Sequence, residues 1–105
     1  MTSRYITIRL PKDINTGMQS IANLTGLSKT DVIRIAVLTY LDKVKLDHYR
    51  TVTVGTSPNT RINVKITPLL DEILMDKAEQ YATSINGLVI YALNQLQKQY
   101  SDRLE

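Results

Sequence analysis

The sequence contains no cysteine, tryptophan or phenylalanine, and its only histidine is His48. The absence of cysteine excludes disulfides and thiolate metal sites, so nothing in the chain points to an oxidising compartment. Without tryptophan and phenylalanine, the core must consist of Ile, Leu, Val, Met and Ala, with tyrosines at its edge. We therefore expect a small domain whose stability depends on aliphatic packing.

Long apolar runs and catalytic motifs are also missing. No stretch approaches the roughly 18 consecutive apolar residues of a transmembrane helix, and the first residues lack the apolar segment of a signal peptide. There is no Gly-rich phosphate loop, zinc-ligand spacing or Ser-His-Asp order. We expect a cytoplasmic protein of one domain, 1–105, that is not an enzyme, needs no cofactor or metal, and has no membrane partner.

The net charge of +3 is small, but the charges are unevenly distributed. Residues 1–46 contain seven Lys/Arg and three Asp, whereas residues 61–105 contain five Lys/Arg and six Asp/Glu. This balance permits a polyanionic partner without requiring one. The positions of the basic side chains therefore carry more information than their number.

One pattern occurs twice in the chain without a gap. A shift of 56 positions (66 − 10) superimposes the pairs Leu10/Ile66, Ser28/Ser84 and Ala36/Ala92. In each copy a segment of alternating polar and apolar residues precedes two helical segments. This gives repeats at 4–46 and 60–103, joined by a connector at 47–59. A half that cannot bury its own apolar face would use the other half as its partner.

The two alternating segments, 5–10 and 61–66, are typical of half-buried strands. Their apolar residues should face the helices: Ile6, Ile8, Leu10, Ile62, Val64 and Ile66. Their polar residues should then point away from the core: Tyr5, Thr7, Arg9, Arg61, Asn63 and Lys65. None of these six outward residues is acidic.

Capping signals mark the helices. The first helix should run from about Asp13 to Thr25 and close at Gly26. Ser28 caps a second helix, with Asp31 completing a capping box. This helix is apolar on most sides as far as Val44, so it should lie in the centre of the assembly.

The third and fourth helices carry similar signals. Pro68 should occupy the first position of the third helix after Thr67, and Ser84 should cap the fourth. Ala82 stands where the first copy has Gly26. An L-residue must therefore adopt an unfavourable conformation there, or the turn must differ.

The order strand, helix, helix resembles the ribbon-helix-helix fold of Arc- and MetJ-type regulators. The segment Leu27-Ser-Lys-Thr-Asp31, at the turn into the second helix, is part of this resemblance. In that family, two copies pair their strands into an antiparallel ribbon that enters the DNA major groove. The presence of both copies in one chain is similar to some accessory proteins of conjugative plasmids. The resemblance implies an α+β, mostly α fold. It would be a tandem ribbon-helix-helix pseudo-dimer, with a two-stranded antiparallel ribbon packed on four helices.

Two sets of residues are candidates for contacts with double-stranded DNA. Arg and Lys can donate to guanine, Asn can bridge adenine N6 and N7, and a Thr methyl can meet a thymine methyl. The predicted base contacts are therefore Tyr5, Thr7, Arg9, Arg61, Asn63 and Lys65. Free amides at helix N-termini bind anions, which gives the predicted phosphate contacts Ser28, Lys29, Thr30, Ser84 and Asn86. Ordinary capping accounts equally well for Ser28 and Ser84, but not for Lys29.

The expected function is sequence-specific DNA binding as a transcriptional repressor of plasmid or phage origin. One alternative is an accessory protein at a plasmid transfer origin, which differs only in the site that it binds. Another is an antitoxin-type interaction protein, against which the short segment after the last helix, 101–105, argues. The two strands carry different outward residues, so unequal half-sites are expected. Self-association of pseudo-dimers on DNA is a further expectation.

Overall fold

The computed structural model describes residues 3–42, 45–46 and 59–103. In these residues the order strand, helix, helix occurs twice: β1 (Arg4–Pro11), α1 (Lys12–Thr25), α2 (Lys29–Tyr40), β2 (Asn59–Ile66), α3 (Pro68–Gln80) and α4 (Ile85–Gln99), followed by a 3₁₀ turn at Ser101–Arg103. The described part of the chain is α+β and mostly helical, with one two-stranded antiparallel sheet and four helices, as predicted. The predicted connector lies outside the described residues except for Asn59, which begins β2.

β1 and β2 pair antiparallel over their whole length, so that residue i of β1 faces residue 70 − i of β2. We call this pair the ribbon. Its inward face packs on the helices and carries the buried side chains Ile8, Leu10, Val64 and Ile66, flanked by half-buried Ile6 and Ile62. A two-stranded sheet is marginally stable at best in water. The helices must therefore stabilise the ribbon, and each fully buried aliphatic side chain contributes about 1.5–3 kcal/mol.

α2 and α4 pack on each other and form the centre of the core. α4 buries the residues Gly87, Leu88, Val89, Ile90, Ala92, Leu93 and Leu96. α2 buries Val32, Ile33, Ala36 and Val37. However, Ile35 and Leu38 of α2 are 39% and 42% exposed. α2 therefore lies at the centre of the core, as expected, although one of its faces is open to solvent.

The turns after α1 and α3 have the same backbone handedness. Gly26 has φ 78° and donates its N–H to the Ala22 carbonyl at 2.9 Å. Ala82 has φ 49°, and the N–H of Thr83 donates to the Ala78 carbonyl at 3.0 Å. The second half therefore keeps a left-handed turn and places an alanine in it, which costs about 1–2 kcal/mol.

The helix starts follow the capping signals only in part. Ser28 Oγ accepts from the Asp31 N–H at 3.1 Å, and Ser84 Oγ accepts from the Gly87 N–H at 3.0 Å. The Asp31 carboxylate binds Arg34 Nη1 at 3.0 Å, so only half of the predicted capping box is formed. α2 ends at Tyr40, short of the predicted end.

Replacing Ala82 by glycine should raise the free energy of unfolding by about 1 kcal/mol, because glycine adopts positive φ without a Cβ clash. Urea denaturation followed by circular dichroism measures this change. The matched control is Gly26→Ala, which should lower stability by a similar amount. A Cβ at Gly26 would meet no atom within 4 Å, so only the backbone conformation is penalised there. A loss of stability in Ala82→Gly would contradict the presence of strain at this turn.

Candidate nucleic-acid interface

The outward face of the ribbon carries all six residues predicted to contact bases, and each of them is exposed. They form three facing pairs: Tyr5 with Lys65, Thr7 with Asn63, and Arg9 with Arg61. Tyr5 is 71% exposed, the highest value among the large apolar and aromatic side chains described. These six side chains therefore place three cations, an amide, a hydroxyl and an aromatic ring on one exposed surface, and none of the six is a carboxylate.

Backbone hydrogen bonding shows how close these facing side chains are. The Arg9 N–H donates to Asn86 Oδ1 at 2.7 Å, and the Arg9 carbonyl accepts from Asn86 Nδ2 at 3.0 Å. Both backbone groups therefore point away from β2, so Arg9 and Arg61 form a non-hydrogen-bonded pair. The two pair types alternate along an antiparallel ladder, so the other two outward pairs are of this type as well. Their Cα atoms are expected to be about 4.5 Å apart, the closer of the two spacings.

Arg9 and Arg61 therefore face each other at the closer spacing. Neither forms an ion pair with any residue that the structure describes. Like charges directly opposite each other on a sheet are destabilising, by an amount on the order of 0.2–1 kcal/mol. Such a pair is expected to be unfavourable for the isolated fold, and an anion bound between the two guanidinium groups would offset the repulsion.

Arg4 is on β1 like Arg9, but its side chain is paired within the fold. It lies on the other side of the strand, where Nη2 and Nε donate to the two Asp71 carboxylate oxygens at 2.9 and 3.2 Å. This hydrogen bonding, together with the negative charge of Asp71, raises the pKa of Arg4. Arg4 has a partner within the fold, whereas the outward arginines are directed to solvent.

The middle of the outward face is ordered by a side-chain hydrogen bond. Thr7 Oγ1 donates to Asn63 Oδ1 at 2.8 Å. The Asn63 oxygen keeps a second lone pair and its NH₂ group keeps both hydrogens, so the amide can still form up to three further hydrogen bonds. Because its orientation is already fixed, less conformational entropy is lost when it binds a partner.

The second helix of each half begins near an edge of the ribbon. Asn86, in the first turn of α4, binds the β1 edge at Arg9. Arg34, in α2, donates from Nη2 to the Lys65 carbonyl on the β2 edge at 3.0 Å. The first N–H groups of a helix have no intrahelical acceptor and favour anions. A phosphate beside either edge of the ribbon would therefore lie near such groups.

The five predicted phosphate contacts differ in how free their side chains are. The hydroxyls of Ser28 and Ser84 cap their helices, and both polar atoms of the Asn86 amide bind Arg9. Lys29 and Thr30 have no side-chain hydrogen bond with any described residue. Contacts of these five residues with phosphate stay predictions.

Arg34 was missed by the sequence reasoning. Its guanidinium bridges Asp31 and the Lys65 carbonyl, and so it joins α2 to β2. Arg34 is the only charged residue between Val32 and Leu38, in an otherwise apolar stretch. Such a charge needs a specific partner when it is partly buried, and this is the signal that could have revealed it.

Comparisons of the chain with protein-family models, curated proteins and solved structures found no match. Among the residues that the structure describes, no helix has the length and apolar character needed to cross a membrane. The same residues contain no group of three or more His, Asp or Glu side chains placed to hold a metal ion.

Arg61→Gln should leave the free energy of unfolding unchanged or raise it by up to about 1 kcal/mol, because it removes the repulsion with Arg9. The same change should weaken binding to duplex DNA and reduce the slope of log K against log salt by about one. Thermal denaturation and fluorescence anisotropy at several salt concentrations measure the two effects.

Arg103→Gln is the matched control for charge. Arg103 is exposed and lies beyond the far end of α4, roughly 20 Å of helix away from the ribbon. It should change neither stability nor DNA affinity appreciably. If Arg61→Gln lowered stability and left DNA affinity intact, Arg61 would have a structural role instead.

Proposed function

We propose that this chain binds double-stranded DNA sequence-specifically by placing the ribbon in the major groove, and that it acts as a transcriptional repressor. The observation that carries the proposal is the facing pair Arg9 and Arg61, on an exposed surface without carboxylates. A major groove about 12 Å wide accepts a two-stranded ribbon. There, the guanidinium groups can donate to guanine O6 and N7, and nearby phosphates offset their mutual repulsion.

We infer further that the fold is a tandem ribbon-helix-helix pseudo-dimer. The register of the ribbon supports this inference, since Thr7 faces Asn63. The shift of 56 positions (63 − 7) that relates the two sequence repeats also maps Thr7 onto Asn63. Equivalent residues that face each other mark a two-fold axis between two antiparallel strands. The edge contacts agree, because α4 of the second half holds β1 and α2 of the first half holds β2.

The three outward positions on each strand set the size of the DNA site. Successive outward residues are about 6.6 Å apart, so three of them span about 13 Å. At about 3.4 Å per base pair, this corresponds to roughly four base pairs. Thr7 and Asn63 would lie over the centre of this site, with phosphates on both sides near the starts of α2 and α4. Such a short site favours several copies bound side by side, and a promoter covered in this way is closed to transcription.

Selection of bound duplexes from a random-sequence pool tests the proposal directly. The protein should enrich a short common sequence, and its affinity for that sequence should exceed its affinity for unrelated duplex by at least about 10³-fold at physiological salt. Equal affinity for all duplexes, or no binding at all, would overturn sequence-specific recognition.

Asn63→Ala should lower affinity for the selected sequence by roughly 1–3 kcal/mol and relax the preference at one central base pair, because a bidentate base contact is lost. Lys29→Ala should instead weaken binding to all duplexes alike and reduce the salt slope by about one, as expected of a phosphate contact. Anisotropy titrations with matched and mutated duplexes separate the two patterns. An equal loss on all sequences for Asn63→Ala would contradict its role in base recognition.

The bound site should be asymmetric, because Tyr5, Thr7 and Arg9 differ from their counterparts Arg61, Asn63 and Lys65. Two symmetrised duplexes, each repeating one half of the selected site, should compete more weakly than the selected site itself. A mismatched base pair typically costs about 1–3 kcal/mol, which sets the size of the expected difference. A symmetrised duplex that competes equally well would show that the two strands read DNA equivalently.

A further inference from the structure

The two outer edges of the ribbon are each held by a side chain from the other half of the chain. Arg9 and Lys65 are equivalent under the 56-position shift (65 − 9), and both project their side chains from the outward face. The backbone of Arg9 is bound by Asn86 of α4, and the backbone of Lys65 by Arg34 of α2. In each half, the residue that is held is a cation predicted to contact bases.

The two contacts differ in the number of hydrogen bonds and in charge. Asn86 donates to and accepts from the Arg9 backbone, at 3.0 and 2.7 Å, as a neighbouring strand would. Arg34 donates a single bond to the Lys65 carbonyl at 3.0 Å, and its other terminal nitrogen binds the Asp31 carboxylate. These residues are not equivalent to each other, because the counterpart of Asn86 is Thr30 and the counterpart of Arg34 is Ile90. The two halves therefore hold the same position by different chemistry.

We propose that Asn86 and Arg34 are positioning residues, which fix the strand edges so that the Arg9 and Lys65 side chains meet the bases at a defined height and angle. This inference rests on the proposed function. Direct base recognition requires a guanidinium to be placed for two hydrogen bonds at once, so a mobile strand edge would lose discrimination before it lost charge-driven affinity. The β1 edge, held at both backbone groups, should discriminate more sharply than the β2 edge.

The first measurement needs no DNA. The Arg9 amide is at the free edge of a two-stranded sheet, so its protection from hydrogen exchange depends on the bond to Asn86. In Asn86→Ala the protection of the Arg9 amide should fall at least tenfold. The protection of buried amides in α4 should fall only as far as the global free energy of unfolding falls. Asn86→Asp provides a second variant that keeps an acceptor for the Arg9 N–H and suits the first turn of a helix. It lacks the donor for the Arg9 carbonyl, which its second oxygen would face, so it should retain only part of the protection.

The second measurement is base preference, given as the ratio of affinities for the selected duplex and for one changed at the base pair read by Arg9. The Arg9→Ala variant identifies that base pair. Asn86→Ala should reduce the ratio about tenfold and leave the salt slope unchanged, because Asn86 carries no charge. Asn94→Ala, an exposed asparagine further along α4, is the matched control and should keep the ratio. Arg34→Lys, which preserves the charge, should reduce the preference at the base pair read by Lys65.

The outcomes separate the two proposals. If the unaltered protein shows no sequence preference, the proposed function fails, whatever the exchange data show. If the unaltered protein has a sequence preference and Asn86→Ala keeps it, the positioning role is overturned. The role is also overturned if Asn86→Ala weakens binding to all duplexes equally, and that result would assign Asn86 a phosphate contact. Unchanged protection of the Arg9 amide in Asn86→Ala would overturn the role on structural grounds alone.

Discussion

The antiparallel pairing of β1 with β2 is the constraint on which the rest of the structure depends. Side chains alternate between the faces of a strand, so a single register decides at once which residues enter the core and which form the outward surface. A slip of one residue in β1 would expose Ile8 and bury Arg9, and the same slip in β2 would expose Val64 and bury Arg61. Several contacts oppose such a slip, including the Thr7–Asn63 bond and the two edge contacts made by Asn86 and Arg34. The register is therefore fixed by polar contacts as well as by apolar burial.

Local signals in the sequence were sufficient for much of the fold. Alternation gave both strands and their inward and outward residues, and serine caps located the starts of α2 and α4. The alignment of Ala82 with Gly26 left two possibilities, an unfavourable backbone conformation or a different turn, and the positive φ of Ala82 corresponds to the first. These features depend on residues within a few positions of each other, where periodicity and capping are informative. The order of elements follows from the same signals, whereas the pairing of the two strands was expected from the internal repeat and from the ribbon-helix-helix resemblance.

Contacts between distant segments were not predictable in this way. Asn86 was assigned to phosphate from its place at a helix start, yet its amide binds a strand 77 positions away in the sequence. Gly17 is a similar case. Its local effect is to weaken α1, but a Cβ there would lie 2.3 Å from Cδ of Gln97, whose amide donates to the Ile14 carbonyl. A single sequence does not reveal which distant side chain meets a given backbone group, because that depends on how the helices pack.

The strained turn at Ala82 is best understood through the helix that follows it. The turn leads directly to Ser84, and α4 must begin close enough to β1 for Asn86 to reach both backbone groups of Arg9. The corresponding turn at Gly26 precedes α2, from which Arg34 reaches β2. The two hydrogen bonds of Asn86 together contribute about 1–3 kcal/mol, which is comparable to the cost of the strain at Ala82. A different turn would also have to move α4, which buries seven residues in the core, so the packing of α4 and its contact with the ribbon edge both favour the left-handed turn.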